Sequence, residues 1–315
     1  MNFQLTILVL FAFLCILSSA HVLNRSRNRP PVARNRFNEL YTARKDEIES
    51  EIGAWNPRDG SNVWEHSGLF EGDIMLFDNP TSGKNGLIDT AARWNSATVP
   101  YYIDDSFSSE EVLMILNGMQ EYHNRTCIRF RPYVMTDQNW IDIKADYSGC
   151  WSSVGMKMQG QVVNLGSPKC LRHGVIVHEL MHALGFYHQH SSAERDDFIR
   201  INWENIRRGR EHNFNKYNET VVSNFNVSYD YASVMHYSMK AFTANGEDTI
   251  IPLQEISAPP GQRLGLSDKD VEKVNLMYSE TCNNDTSSVV QMHQIQLELL
   301  QEIVVPPSPN KGISY

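Results

Sequence analysis

The stretch of sequence that decides the fold reads His178-Glu179-Leu180-Met181-His182-Ala183-Leu184-Gly185-Phe186-Tyr187-His188. Two of its histidines, His178 and His182, are four residues apart, so on a helix their rings lie on one face and can bind one metal ion. Glu179 follows the first histidine, where its carboxylate can hold a metal-bound water without itself being a ligand. The spacing therefore predicts a metal site carried by a helix.

The end of this stretch predicts where the helix stops. Residues Val175 to Leu184 are largely apolar and favour a helix, and Gly185 can adopt the left-handed conformation that ends one. His188 can then turn back towards the other two histidines as a third ligand. Three protein nitrogens leave one coordination position open, which is typical of a catalytic zinc site rather than a structural one.

A second motif, Ser233-Val234-Met235-His236-Tyr237, follows downstream. A helix, a glycine turn, a third histidine and a later methionine form the metzincin pattern. On these residues, on Arg195-Asp196 and on four cysteines, the chain resembles the astacin family of secreted zinc endopeptidases, from about Asn85 to Cys282. The resemblance implies an α+β fold of two lobes with a cleft between them: a twisted, mostly parallel upper sheet, an active-site helix and an irregular lower lobe.

The resemblance also assigns roles around one zinc ion per subunit. Zinc lowers the pKa of bound water towards about 7, and Glu179 acts as the general base that passes the proton to the leaving amine. Tyr237 is implied as a further zinc ligand that moves to stabilise the tetrahedral intermediate, although the residue alone also fits a buried tyrosine with a satisfied hydroxyl. Met235 is implied as a hydrophobic floor beneath the zinc. His173 and His190 are expected to be bystanders.

The amino-terminal segments point to secretion and latency. Residues 1–20 hold an apolar run followed by Ser18-Ser19-Ala20 and read as a signal peptide; an uncleaved anchor is the alternative, but the run is short of the roughly 20 residues that span a bilayer. Residues 21–84 are expected to be a propeptide. Within them Phe70-Glu71-Gly72-Asp73 resembles the astacin propeptide element whose aspartate occupies the open zinc position, with a plain turn as the alternative. Cleavage by a trypsin-like protease after Lys84 would free Asn85.

The catalytic domain is expected at residues 85–282, with a flexible tail at 283–315. Once Cys15 leaves with the signal peptide, four cysteines remain, and the residues alone allow three pairings. The resemblance implies Cys127–Cys282 and Cys150–Cys170. It also implies that the segment after Cys150 pairs with extended substrate, through Trp151, Ser152, Ser153, Val154 and Gly155.

Other features are less decisive. Gln189 stands where the family usually has a glutamate tied to the buried mature amino terminus. Arg263 lies where relatives shape the pocket after the scissile bond, and it could select acidic side chains or be a solvated loop arginine. Glycosylation sequons occur at Asn124, Asn218, Asn226 and Asn284, and also in the propeptide at Asn24.

Local patterns predict several elements of the catalytic domain. Ser108 and Glu111 form a capping box that opens a helix, and Ser267 caps a last helix that runs to Met277. Alternating residues predict half-buried strands at 128–131 and 141–144, and another strand is predicted at 161–165.

Composition limits the function classes. The 315 residues carry a net charge of −9, which argues against nucleic-acid binding. The expected partners are protein or peptide substrates and the activating protease, with no membrane once the signal peptide is removed, and the expected state is a secreted monomer. A catalytically silent relative that binds proteins through the same cleft is the alternative function.

Overall fold

The computed structural model describes residue 30 and residues 38–56, 58, 60–76, 90–146, 148–218, 223–256 and 259–282. The expected signal peptide, the cleavage site after Lys84, the tail beyond Cys282 and the sequons at Asn24 and Asn284 lie outside this set. Within it, no helix has the length and apolar character needed to cross a bilayer.

The described residues form five helices and seven strands, and four of those strands follow one another between the second and third helices. The helices are α1 (Asn38–Ala54), α2 (Ser109–Arg125), α3 (His173–Leu184), α4 (Asp268–Met277) and α5 (Ser279–Cys282). The strands are β1 (Thr98–Ile103), β2 (Arg129–Pro132), β3 (Trp140–Lys144), β4 (Cys150–Trp151), β5 (Gly160–Leu165), β6 (Ile199–Ile201) and β7 (Ile250–Pro252). Short 3-10 turns include Val63–His66, Gln189–Ser191, Arg195–Asp197, Trp203–Asn205 and Glu211–Phe214.

Two helices begin at the capping boxes that the sequence predicts. The backbone N–H of Ser108 donates to Glu111 Oε2 at 2.8 Å, and the N–H of Glu111 donates back to Ser108 Oγ at 3.3 Å. The same exchange joins Ser267 and Asp270 at 3.0 and 2.9 Å. Each exchange satisfies backbone donors that have no partner inside the helix, so the starts of α2 and α4 are confirmed.

Five strands form one sheet in the order β2-β1-β3-β5-β4. All neighbours are parallel except β4, which runs antiparallel to β5 at the sheet edge. Helix α2 packs against α3 at Gly118, where a Cβ atom would lie 2.6 Å from Ile176 Cγ2. This mostly parallel sheet with its helices confirms the expected α+β upper lobe and holds α3 against it.

The predicted strands are present, but one interpretation is wrong. The middle of β3 is not half-buried, because Asp142 is 2% exposed. Its register partners Tyr102 of β1 and Val162 of β5 are buried as well. Since partners in register share a face, both faces of this central strand are covered, and a carboxylate is enclosed where alternation predicts solvent.

The chain after α3 is irregular, as the resemblance implies. It consists of 3-10 turns, a two-stranded antiparallel sheet of β6 and β7, and α4. Disulfides join Cys127 to Cys282 and Cys150 to Cys170, the pairing that the resemblance implies. The first joins α5, which follows α4, to the segment between α2 and β2.

Helix α1 and the residue that follows it contact later parts of the chain through charged side chains. Lys169 Nζ donates to the backbone carbonyls of Gly53 at 2.6 Å and Trp55 at 3.1 Å, near the end of that helix. Arg207 pairs with Glu51 at 2.8 Å. Lys169 thus lies at the negative end of the helix dipole, and Arg207 pairs with a carboxylate of the same helix. Both contacts anchor the chain that leads into residues 60–76.

Candidate active site

Helix α3 places two histidines on one face, and the turn after it supplies the third. Gly185 ends the helix with φ of +118°, in the left-handed region that suits glycine. The chain then reverses, so that ligand atoms of His178, His182 and His188 lie within 4.8 Å of one another, together with a carboxylate oxygen of Asp73. All four side chains are buried. The convergence that the sequence predicts is therefore found.

Backbone carbonyls orient the two helical histidines. His178 Nδ1 donates to the carbonyl of Val234 at 2.8 Å, and His182 Nδ1 donates to the carbonyl of Phe186 at 2.7 Å. Donation from Nδ1 leaves each Nε2 as the electron-pair donor that faces the common centre. The rings are thus held in the tautomer that a metal ion requires.

Asp73 reaches this centre from the segment expected to be the propeptide. Its Oδ2 lies 2.9 Å from His178 Nε2, and its carboxylate lies 3.3 Å from His188 Nε2 and 3.4 Å from His182 Nε2. Ser152 N–H donates to its backbone carbonyl at 3.0 Å. The side chain is fully buried, so it fills the fourth position around the point on which the histidines converge.

Burial sets the electrostatics of the four groups. It lowers the pKa of His182 and of His188 to about 4, and that of His178 further below its usual range, so the rings are neutral. Burial also raises the pKa of Asp73 to about 6. A cation at the centre reverses this rise because it favours the carboxylate. Three neutral imidazoles and one carboxylate are the donor set that zinc takes, so the site fits zinc.

Glu179 is the unpaired acid of the site. It is fully buried, and neither carboxylate oxygen has a hydrogen-bond partner among the described residues. Burial, with the nearby charge of Asp73, raises the pKa of Glu179 well above its usual value. A buried carboxyl without a partner is costly for structure alone, which makes Glu179 a candidate catalytic group.

Tyr237 lies near the histidines, but its hydroxyl contacts the backbone of Glu71. Its hydroxyl donates to the backbone carbonyl of Glu71 at 2.7 Å, and its ring lies 4.7 Å from that of His188. In this structure the phenolic oxygen is therefore not part of the four-residue group. His190 stacks on Tyr237 with ring centroids 3.6 Å apart and supplies no ligand to the group.

The segment 62–76 fills the cleft in ways that sequence reasoning missed. Trp64 is fully buried and stacks on the ring of His178, with 4.4 Å between the ring centroids. The Arg263 guanidinium lies 4.8 Å from the centroid of the Trp64 indole ring. Glu65 accepts hydrogen bonds from the N–H and Oγ of Ser238 at 2.9 and 2.8 Å. The signal available was the adjacent pair Trp64-Glu65, which shows no periodicity.

The edge expected to bind substrate is already paired. Ile74 forms a parallel bridge with Ser152, and Met75 N–H donates to the Ser152 carbonyl at 2.8 Å. At the other end of the predicted substrate edge, Gly155 N–H donates to the carbonyl of His182 at 2.9 Å. The remaining predicted residues of this edge are buried too: Trp151, Ser153 and Val154. Residues 73–75 thus occupy the backbone groups of Ser152, on the edge that the resemblance assigns to substrate.

Several predicted residues take supporting positions. Met235 is buried, and its carbonyl accepts from Gln189 N–H at 2.9 Å, directly after the third histidine. The ring of His236 is held by the Tyr229 hydroxyl and by the backbone carbonyl of Tyr237, and it supplies no ligand to the four-residue group. His173 is exposed and contacts Glu121. The described sequon asparagines are exposed: Asn124, Asn218 and Asn226.

This geometry defines a class: a three-histidine zinc site on a helix, closed by a glycine turn and followed by a methionine turn. A family model described as Astacin (Peptidase family M12A) matches residues 86–279, more than half of the chain. The chain therefore belongs to the astacin family.

Relatives with known names agree with this membership. Meprin A subunit beta of Mus musculus is 43% identical over 233 residues, which cover 73% of this chain and 31% of that protein. Seminal metalloprotease 1 of Drosophila melanogaster is 39% identical over 220 residues, which cover 67% of this chain and 87% of that protein. The chain thus spans about a third of the length of the mouse relative.

A solved structure shares the fold. High choriolytic enzyme 1, a hatching enzyme zinc-protease of the medaka fish Oryzias latipes, superposes with a TM-score of 0.55 at 34% sequence identity. The match covers 65% of this chain and 99% of that one.

Proposed function

We propose that this chain is the latent precursor of a secreted zinc endopeptidase that cleaves extended polypeptides. The observation that carries the proposal is the position of Asp73, which closes the group of three zinc histidines from outside the family-matched residues. The proposed organisation is a signal peptide at 1–20, a propeptide at 21–84, a catalytic domain at 85–282 and a tail at 283–315.

The reaction is derived from the residues around the zinc site. When bound, zinc supplies Lewis-acid chemistry and lowers the pKa of water. Glu179 accepts the proton of the attacking water, because its carboxylate is unpaired and beside His178, and then donates it to the leaving amine. The raised pKa of Glu179 suits both proton transfers, because the carboxyl must hold the proton from the water until it passes it to the amine. Once freed from Glu71, the Tyr237 hydroxyl stabilises the oxyanion.

Substrate binding is proposed at the edge that the propeptide now covers. Backbone groups of Ser152 bind an extended peptide as they bind residues 73–75. Arg263 lies beside the histidines with its charge near Glu65, which supports a preference for acidic side chains after the scissile bond. Protein or peptide substrates and a trypsin-like protease that cuts after Lys84 are the proposed partners of a monomer that is glycosylated at exposed sequons.

The test is proteolysis by the secreted full-length protein before and after limited trypsin treatment. A denatured protein serves as substrate, and the new amino terminus is sequenced. We expect activity only after trimming to Asn85, and loss of that activity with a zinc chelator. Glu179→Gln, which keeps the side-chain shape, is expected to lower the rate by about 10² to 10⁴ while zinc is retained. A trimmed, folded, zinc-loaded protein that cuts nothing would refute the proposal and favour a silent binding protein.

A further inference from the structure

The outer nitrogens of the three zinc histidines are held by different parts of the chain. His178 and His182 donate from Nδ1 to backbone carbonyls of the catalytic domain. His188 donates from Nδ1 to the carboxylate of Glu71, with 2.8 Å between Nδ1 and Oε2. Glu71 lies two residues before Asp73, so one short segment contacts both nitrogens of the same imidazole ring.

Glu71 is itself fixed from several sides. Its Oε1 accepts from the Tyr217 hydroxyl at 2.5 Å, and its backbone N–H donates to Asn213 Oδ1 at 3.1 Å. Its carbonyl accepts from the Tyr237 hydroxyl. The residue is 1% exposed and has φ of +48°, a left-handed conformation that is uncommon for a glutamate. These contacts hold a strained residue in place, which aims its carboxylate at the third histidine.

We propose that Glu71 is a positioning residue of the zinc site, and that the propeptide retains zinc as well as blocking the cleft. A carboxylate that accepts the outer N–H of a zinc histidine fixes the ring and makes its other nitrogen a better donor. Residue Glu71 acts on His188 in this way, while Asp73 supplies a fourth donor. The inference rests on the proposed role of residues 21–84, since cleavage after Lys84 removes both carboxylates. The latent chain therefore holds zinc more tightly than the trimmed one.

The experiment measures zinc affinity by competition with a chromophoric chelator at fixed pH, on the uncut full-length protein. Glu71→Gln is compared with Glu65→Gln as a matched control. Both are buried propeptide carboxylates with several hydrogen bonds, but Glu65 bonds Asn62 and Ser238 rather than a zinc histidine. We expect Glu71→Gln to weaken zinc binding about tenfold or more, and Glu65→Gln to change it less than about twofold. Equal affinity of the two variants would overturn the proposal.

A second variant keeps the test decisive if Glu71→Gln does not fold. Tyr217→Phe removes the hydroxyl that holds Glu71 and leaves the contact with His188 in place. We expect Tyr217→Phe alone to give a smaller loss of zinc affinity in the same direction. Where Glu71→Gln folds, the double variant should lose no more affinity than Glu71→Gln alone. An unchanged zinc affinity in Tyr217→Phe would count against Glu71 being held in place by Tyr217. A double variant whose loss equals the sum of the two single losses would count against it as well.

The measurement separates this inference from the proposed activity, because zinc affinity needs no substrate. A trimmed protein that binds zinc but cleaves nothing would refute the endopeptidase, and the order of affinities would still test Glu71. Conversely, an active enzyme whose Glu71→Gln precursor binds zinc as tightly as the unaltered precursor would refute the positioning role alone. The trimmed protein is expected to bind zinc at least as weakly as Glu71→Gln.

Discussion

The ammonium of Lys273 donates a hydrogen bond to the side-chain oxygen of Gln189 over 2.5 Å, and both side chains are buried. The resemblance to astacins implies a glutamate at position 189 that binds the mature amino terminus. Here an amide stands at that position, and an ammonium of the same chain already faces it. A cavity of about 340 Å³, lined by both residues and by Glu194, adjoins this contact behind the third histidine.

The first prediction concerns the charge of this contact. Burial lowers the pKa of Lys273 and outweighs the attraction of the carboxylates of Asp270, Asp230 and Glu194. Gln189→Glu places a carboxylate against an ammonium that already makes this hydrogen bond, so only the added attraction counts. We expect the free energy of unfolding at pH 7 to rise by about 1 kcal/mol, because the pairing outweighs the burial of a second charge. Urea denaturation monitored by fluorescence measures the change.

The control for this prediction combines Gln189→Glu with Lys273→Met. Without the ammonium, the new carboxylate is buried and unpaired, so the gain should become a loss. A double variant that stays as stable as Gln189→Glu alone would show that the gain does not come from this ion pair.

The second prediction concerns Tyr237 in the trimmed enzyme. Tyr237→Phe removes the hydroxyl that now donates to the carbonyl of Glu71 and that is proposed to stabilise the oxyanion. We expect kcat to fall by about 10²-fold or more with KM nearly unchanged, the pattern of a donor that acts in the transition state. Steady-state kinetics on a quenched peptide give both constants. An unchanged kcat would assign the tyrosine to packing against His190.

The core of the site could be predicted from sequence because it is local. His178 and His182 share a helix, Gly185 ends it, and the capping boxes of α2 and α4 lie within four residues each. Each of these features depends on backbone geometry that spacing alone determines.

The contacts that surround the site could not be predicted in this way. The partner of His188 lies 117 residues earlier, at Glu71, and the partner of Gln189 lies 84 residues later, at Lys273. Such pairs follow from how distant segments pack, and a single sequence carries no periodic signal for them. The burial of Asp142 departs from the predicted half-buried strand at 141–144 for the same reason, since only the sheet order shows that β3 is covered on both faces.

The third prediction uses the buried carboxyl of Asp142. Its Oδ2 lies 3.3 Å from Lys144 Nζ, but its Oδ1 has no hydrogen-bond partner among the described residues. Burial outweighs the attraction of Lys144 and raises the pKa of Asp142 to about 6. The folded protein therefore favours the protonated form, so this stabilisation is present below about pH 4 and is lost as pH rises through about 6. Asp142→Asn stays neutral, and we expect it to be up to about 3 kcal/mol more stable than the unaltered chain at pH 7. Urea midpoints should converge at pH 4.

Asp137 supplies a control of opposite sign. It pairs with Arg131, with 2.5 Å between Oδ1 and Nη2, and this hydrogen-bonded arrangement lowers its pKa despite the opposing effect of burial. Its stabilisation is present at neutral pH and is lost as pH falls through the lowered pKa. Asp137→Asn should therefore be less stable than the unaltered chain at pH 7. If both variants shift in the same direction, the assigned pKa directions are wrong.

The fourth prediction sets helix propensity against packing at Gly174. Alanine in place of glycine favours a helix by about 1 kcal/mol, but a Cβ at this position of α3 would lie 2.2 Å from the backbone oxygen of Arg263 and 2.6 Å from its Cα. Backbone atoms cannot turn aside as a side chain can, so the loop that carries Arg263 must move. We expect Gly174→Ala to lose about 2 kcal/mol in net stability, as for an overpacked core.

Gly53→Ala, in the last turn of α1 with no atom within 4 Å of the new Cβ, should be neutral or stabilised by up to about 1 kcal/mol. Urea denaturation of both variants decides between the two effects, because a gain at both positions would mean that propensity outweighs the contact with Arg263.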